Sequence, residues 1–154
     1  MYKRQTLRWQ RTVTAALQPV ALTHVQFVLL ASLWWLSDQS TSTAQPPSQR
    51  SIAAFADVDV MMTSQVLRTL EGRGLLTRAP DPADARVKRL RITTEGQRLA
   101  KRAITLVEEA DSSFFNHIQP YTLLLDLLRT LGQEPAVATD PANARPDAPS
   151  DGPF

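Results

Sequence analysis

The chain has 154 residues, no cysteine and a formal net charge of +2 at pH 7. A chain of this length can bury a core without disulfides or metals, and the absence of cysteine excludes thiol nucleophiles, cysteine-ligated metals and thiol-based redox sensing. Residues 48–104 carry eleven Lys and Arg against six Asp and Glu, which makes this segment either a phosphate-binding surface or simply a solvated charged one.

Two helices are predicted in the first part of the chain. Residues 5–17 have an irregular amphipathic pattern that Pro19 must end. Thr23 and Gln26 have capping-box spacing, and the following residues are apolar on nearly every face, so we expect a central buried helix. Its most apolar stretch covers residues 27–36, too short for the about 20 residues of a membrane-spanning helix. The N-terminus also has no apolar run typical of a signal peptide, and we expect a cytoplasmic protein.

A helix-turn-helix is predicted next, after a polar loop over residues 37–49. Ser48 can cap one short helix and Asp59 a second, which Gly72 and Gly74 would end. The apolar residues of the second helix give an inward stripe of Met62, Val66, Leu67 and Leu70.

A β-hairpin is predicted from the apolar and basic runs at residues 75–79 and 87–92. The intervening segment is rich in turn residues, and Pro80 and Pro82 should lie at the tip because proline disrupts a strand ladder.

Helices are predicted again in the C-terminal third. Thr93 or Thr94 should begin a long helix reaching about His117, and a leucine-rich helix should follow Pro120. Residues 133–154 have five prolines and few large apolar residues, which predicts a disordered acidic tail.

The order helix, helix, basic hairpin, helix predicts a mainly α fold of the winged helix-turn-helix type. In such a fold the second short helix fits the major groove of DNA, and Gln and Arg side chains can bond to adenine and guanine edges. The candidate DNA-binding residues on that helix are Met61, Thr63, Ser64, Gln65, Arg68, Thr69 and Arg73. Those on the hairpin are Arg86, Lys88 and Arg89.

Three motifs in fixed order resemble the MarR family of bacterial transcription regulators. They are the run from Met61 to Arg78 containing Leu-Glu-Gly-Arg-Gly-Leu, the triplet Asp84-Ala-Arg86, and the segment Leu90 to Gly96. The resemblance covers roughly residues 20–115. The family usually has Leu where this chain has Ile92, which is a volume-conserving change.

The resemblance implies a homodimer that binds a pseudo-palindromic operator, most often as a repressor. It further implies that Arg86 enters the minor groove from the wing tip, with Asp84 as its orienting partner. The implied division is a dimerisation helix over residues 1–22, a DNA-binding domain over 23–93 (recognition helix about 60–72, wing about 75–92), and dimerisation helices over 94–132. Candidate dimer-interface residues are Leu7, Phe114, Leu123, Leu124, Leu127, Leu128 and Leu131.

A small aromatic or acidic ligand that releases the DNA is also consistent with the resemblance. The tryptophans and nearby arginines could line its pocket, although core or dimer packing is the simpler interpretation of each tryptophan. The candidate pocket residues are Arg8, Trp9, Arg11, Trp34 and Trp35.

The sequence leaves a second class of function open and disfavours a third. A winged helix can serve as a protein-interaction module that never reads bases. An enzyme is disfavoured because the sequence has no glycine-rich phosphate loop, nucleophile elbow or metal-ligand cluster, and His24 and His117 stand isolated. We therefore predict no catalysis, no cofactor and no metal.

Overall fold

A computed structural model describes residues 2–38 and 45–116, together with residues 122, 123, 126, 127 and 130. The chain divides into two compact units, residues 1–117 and residues 118–154. The predicted tail over residues 133–154, and Leu124, Leu128 and Leu131, lie outside the described residues.

The first unit contains five α-helices and one two-stranded antiparallel sheet among its described residues. The elements are α1 (Tyr2–Leu17), a 3-10 turn (Gln18–Val20), α2 (His24–Asp38), α3 (Gln49–Phe55), α4 (Val60–Gly72), β1 (Leu76–Pro80), β2 (Lys88–Ile92) and α5 (Thr94–Phe115). This order confirms the predicted mainly α fold with a β-hairpin wing.

The helices begin where their capping side chains predict. Thr23 and Gln26 form the reciprocal capping box, with the Gln26 side chain accepting from the Thr23 amide at 3.0 Å. Ser48 caps α3, and Asp59 accepts from the first amides of α4. Of the two threonines that could begin α5, Thr93 is the cap, and its hydroxyl accepts from the Gly96 amide.

The core lies where α2 packs against α4, α5 and the hairpin. The large apolar side chains that are fully buried come from the first four helices and both strands: Leu17, Leu29, Leu30, Leu33, Ile52, Leu67, Leu70, Leu76 and Leu90. The expected burial of α2 is found on the face formed by Leu29, Leu30, Ser32 and Leu33, whereas Val28 and Ala31 are half-buried and Trp35 is 49% exposed.

The hairpin differs from the prediction at Pro80. This residue ends β1 in register with Lys88 and does not lie at the loop tip. It is tolerated there because it occupies the last pair of the ladder, and the next amide, that of Asp81, bonds to the carbonyl of Val87 at 2.9 Å.

No single helix of the described part is long and apolar enough to cross a membrane, and residues 3–20 and 24–38 reach that length only as a pair bent by 72°.

The second unit is described at five positions only, all helical. Leu123 and Leu127 are exposed there, and the Thr130 hydroxyl donates to the carbonyl of Asp126.

Candidate nucleic-acid interface

Helix α4 presents a row of three side chains directly away from the core. Thr63, Leu67 and Leu70 are fully buried and fix which face of the helix points inward. At 3.6 residues per turn, positions 61, 65 and 68 lie within about 50° of the opposite direction. We call Met61, Gln65 and Arg68 the outer row; all three are exposed.

Two sequence predictions for α4 are wrong. Thr63 was expected on the DNA-binding face, yet its side chain is 0% exposed, and Met62, expected in the core, is 49% exposed. The cause is the helical phase: Leu67 and Leu70 lie four and seven residues after Thr63, so position 63 must share their face. The Thr63 hydroxyl has no hydrogen-bond partner among the residues that the structure describes.

The other predicted residues of α4 lie beside the outer row. Ser64 is half-buried, and Thr69 is exposed with its hydroxyl donating to the carbonyl of Gln65. Arg73 follows the helix, and its guanidinium donates to the carbonyl of Ala21 at 2.8 Å. The guanidinium of Arg73 is therefore held toward the segment before α2.

The wing is organised by Asp81, a residue that the sequence analysis did not select. Its side chain is buried and accepts from the amides of Ala83 (2.7 Å) and Asp84 (3.3 Å) and from the Arg89 side chain. The hydrogen bond from Arg89, followed by that from the Ala83 amide, lowers the pKa of Asp81 below its ordinary value. The ionised form of Asp81 is therefore favoured, and its carboxylate holds the loop through the amides of Ala83 and Asp84.

Arg89 was expected to contact DNA, which stays a prediction; its side chain is 27% exposed, and its guanidinium is hydrogen-bonded to other parts of the protein. It donates to Asp81 at 2.5 Å and to the carbonyl of Pro46 at 3.1 Å. The neighbouring amide of Leu90 donates to the carbonyl of Pro47. These bonds attach β2 to the segment that leads into α3, which gives Arg89 a positioning role.

The wing carries two exposed cations, Arg86 in its loop and Lys88 at the start of β2. Asp84 does contact Arg86, but through the backbone: its carboxylate accepts from the Arg86 amide at 3.0 Å. Asp84 thus sets the turn from which Arg86 projects.

A groove of about 470 Å³ separates the wing from the start of α3 and α4. Arg86 and Lys88 of the wing and Arg50 and Val60 of the two helices line it, and none of the described residues that line it is a carboxylate. Arg50 is a site residue that the sequence analysis missed, because only the tertiary fold brings the first turn of α3 beside the wing.

An ion pair joins α4 to the wing. The Arg78 side chain donates to Glu71 at 2.7 and 2.5 Å, and the Arg78 amide donates to the other carboxylate oxygen at 3.2 Å. The Arg78 side chain is the main cause of the lowered pKa of Glu71. Glu71 and Arg78 both belong to the run from Met61 to Arg78 that resembles the MarR family, so that run contains the contact between α4 and the wing.

The residues predicted to line an effector pocket do not form one described cluster within a single chain. The Trp9 indole donates to Asp111 at 2.7 Å and packs edge-on against His24, whereas Lys101 lies over Trp34. Positions 101 and 111 are about 15 Å apart along α5. The remaining candidates, Arg8, Arg11 and Trp35, are exposed.

Three of the predicted dimer-interface residues are exposed: Leu7, Leu123 and Leu127. Phe114 is half-buried and packs edge-on against Phe115, with ring centroids 4.9 Å apart. Within the part of the chain that the structure describes, no three His, Asp or Glu side chains are grouped to hold a metal.

Comparison with known proteins finds a consistent set of relatives. The family model described as the MarR family matches residues 22–88. The HTH-type transcriptional regulator YdcH of Bacillus subtilis is 38% identical over 110 residues, 71% of this chain and 72% of that protein.

Two solved structures share the fold. CouR of Rhodococcus jostii RHA1, bound to p-coumaroyl-CoA, has a TM-score of 0.69 and 30% identity over 84% of this chain and 85% of that one. The Mycobacterium tuberculosis MarR family protein Rv2887 in complex with DNA has a TM-score of 0.65 and 27% identity, and the match covers 86% of this chain and 94% of that one.

Proposed function

This chain belongs to the MarR family of transcriptional regulators, and we propose that it binds a pseudo-palindromic operator as a homodimer and represses transcription by occupying it. The observation that carries the proposal is the outer row: Gln65 and Arg68 project from the recognition helix opposite its buried face. Both side chains can make the paired hydrogen bonds that distinguish adenine and guanine in the major groove.

The wing supplies the second contact. With α4 in the major groove, Arg86 at the wing tip reaches the adjacent minor groove. Arg50 and Lys88 both line the groove between α3 and the wing, and we expect them to bind the DNA backbone there. Such phosphate contacts add affinity without sequence preference and make binding depend on salt.

Dimerisation follows from the need to read two half-sites. Leu7, Leu123 and Leu127 expose apolar area that a second copy would cover, and Phe114 lies at the end of α5. Two copies related by a two-fold axis would place their recognition helices about one turn of DNA apart.

Release by a small aromatic or acidic ligand is part of the proposal. CouR, a relative of the same fold, was solved with p-coumaroyl-CoA. The Trp9 indole beside His24 offers an aromatic wall for such a ligand, and Arg8 and Arg11 supply positive charge on the same helix. Trp9 and Trp34 contact positions of α5 about 15 Å apart, so within one chain a small ligand would contact one of them. We also propose that the protein acts in the cytoplasm and catalyses no reaction.

In-vitro selection from random duplexes, followed by titration at several salt concentrations, tests the proposal. Arg68→Ala should relax the preference at one base position, because Arg68 reads a base edge. Lys88→Ala should weaken binding to all sequences alike and reduce the salt dependence.

Arg102→Ala is the matched control, since Arg102 is exposed on α5 and lies outside both the outer row and the groove. It should leave selectivity unchanged. If no sequence is enriched and neither Arg68→Ala nor Lys88→Ala alters binding, the basic surface serves another partner, as expected of a protein-interaction module.

A further inference from the structure

The outer row begins with an apolar side chain that packing does not explain. Met61 is 81% exposed, more than any other large hydrophobic side chain in the described part of the chain. The Asp59 carboxylate accepts from the amide of Met61 at 2.9 Å, which fixes the first turn of α4 and hence the direction in which the side chain leaves it.

The position of Met61 is that of a base-reading residue. It lies four residues before Gln65, on the same face and at the N-terminal end of the helix. In helix-turn-helix proteins the N-terminal residues of the recognition helix are the ones that contact base edges. A single exposed apolar residue is ordinary on a protein surface. Met61 is informative because it lies at the N-terminal end of the recognition helix, in line with Gln65 and Arg68.

The major groove offers one apolar group at the base edges. Thymine carries a C5-methyl group, whereas adenine, guanine and cytosine present hydrogen-bonding groups. The flexible, polarisable methionine side chain adapts its shape to such a group. Four residues of helix span about 6 Å, or one to two base-pair steps of about 3.4 Å.

We propose that Met61 is a specificity-determining residue that contacts the C5-methyl group of one thymine in each half-site, one or two base pairs from the base that Gln65 reads. The proposal rests on the proposed function, because it names the chemistry that the outer row recognises. The other exposed apolar residues of this region do not belong to the row: Phe55 ends α3, and Val60 and Met62 lie on other faces of α4.

Deoxyuridine substitution tests the contact, because uracil pairs like thymine but lacks the methyl group. Each thymine of the selected operator is replaced in turn, and the affinity of the full-length protein is measured. One thymine per half-site should be sensitive: burying one methyl corresponds to about fourfold in affinity, or about fifteenfold when both half-sites are changed.

Met61→Ala should bind the thymine operator more weakly and should no longer distinguish thymine from uracil at the sensitive position. Met62→Ala is the matched control: it makes the same chemical change one residue along, off the row, and should keep the full sensitivity to uracil. Because both side chains are exposed, thermal unfolding should show that each variant folds.

The proposal is overturned if no thymine is sensitive to uracil, if Met61→Ala keeps the sensitivity, or if Met62→Ala abolishes it. Sequence-selective binding without a uracil effect refutes the role of Met61 alone. A failure of the wild-type protein to prefer any duplex refutes the operator proposal and the thymine contact together.

Discussion

The close approach of Gly96 to Leu75, the residue before β1, leads to a quantitative prediction. A Cβ atom at position 96 would lie 2.0 Å from the carbonyl oxygen of Leu75 and 2.9 Å from Cγ1 of Ile92. Because a carbon–oxygen contact is ordinarily about 3.3–3.6 Å, Gly96→Ala must push the chain before β1 away from α5 by more than about 1 Å. That movement breaks the hydrogen bond from the Thr93 amide to Leu75, now 3.1 Å long.

The expected cost is the sum of these two effects. Overpacking costs about 1–3 kcal/mol and the lost hydrogen bond about 1 kcal/mol, so Gly96→Ala should lower the free energy of unfolding by about 2–4 kcal/mol. For a unit of this size the midpoint of thermal unfolding should fall by roughly 10 °C. Denaturant titration and thermal unfolding followed by circular dichroism measure both quantities.

Gly72→Ala is the matched control. It makes the same substitution at the last residue of α4, where a Cβ would meet nothing within 4 Å. Alanine is the better helix former, so this variant should be equal to the wild type or more stable, by up to about 1 kcal/mol. A Gly96→Ala protein within about 0.5 kcal/mol of the wild type would refute the argument, since that spread is typical of surface substitutions without a specific contact.

Three further predictions concern the buried hydroxyl and the two ion pairs. Thr63→Val should raise the free energy of unfolding by about 1 kcal/mol, because it removes a buried hydroxyl that has no partner among the described residues. Thr69→Val, which changes an exposed hydroxyl, is the control. A loss of stability in Thr63→Val alone would contradict the reasoning. Arg89→Ala should lower affinity for DNA without changing base preference, because Arg89 positions the wing; a shift in the selected sequence would show instead that it reads bases. Glu71 and Asp81 have pKa values in the folded protein below their ordinary values of 4.5 and 3.8. Their contribution to stability is therefore present above the ordinary pKa values and is lost as the pH falls through the lowered pKa values. Asp81→Asn should make the stability depend less on pH on the acid side, and an unchanged pH profile would contradict this.

Much of the fold could be predicted because local chemistry determines it. Ser48, Asp59 and Thr93 are capping residues followed by helical patterns, and each does begin a helix. The hairpin was predictable for a similar reason, since two β-like runs enclose a segment rich in turn residues. Gln65 and Arg68 were identified because they fall off the apolar stripe of α4 in almost any phase of the helix.

The errors in α4 arose because either Met62 or Thr63 could have been the buried residue of the first turn. Hydrophobicity favours Met62 over Thr63 as the buried residue, but the spacing to Leu67 and Leu70 favours Thr63, and the spacing prevailed. Geometry outweighs residue type here because Leu67 and Leu70 together bury far more apolar area than one methionine could.

Other features depended on long-range contacts that no local pattern contains. Either Asp81 or Asp84 could have organised the wing, and only the register of the hairpin makes Asp81 the buried one. Arg50 joins the site because α3 packs beside the wing. Trp9 and Trp34 contact different parts of α5, which residue type alone could not reveal.

The most direct test of the central claim is the ratio of two dissociation constants at physiological salt, that of the selected pseudo-palindromic duplex and that of a scrambled duplex of equal length and composition. A sequence-specific regulator should bind the palindrome at least about 10³-fold more tightly, as two protein chains per duplex. Equal affinities for the two duplexes would contradict the claim.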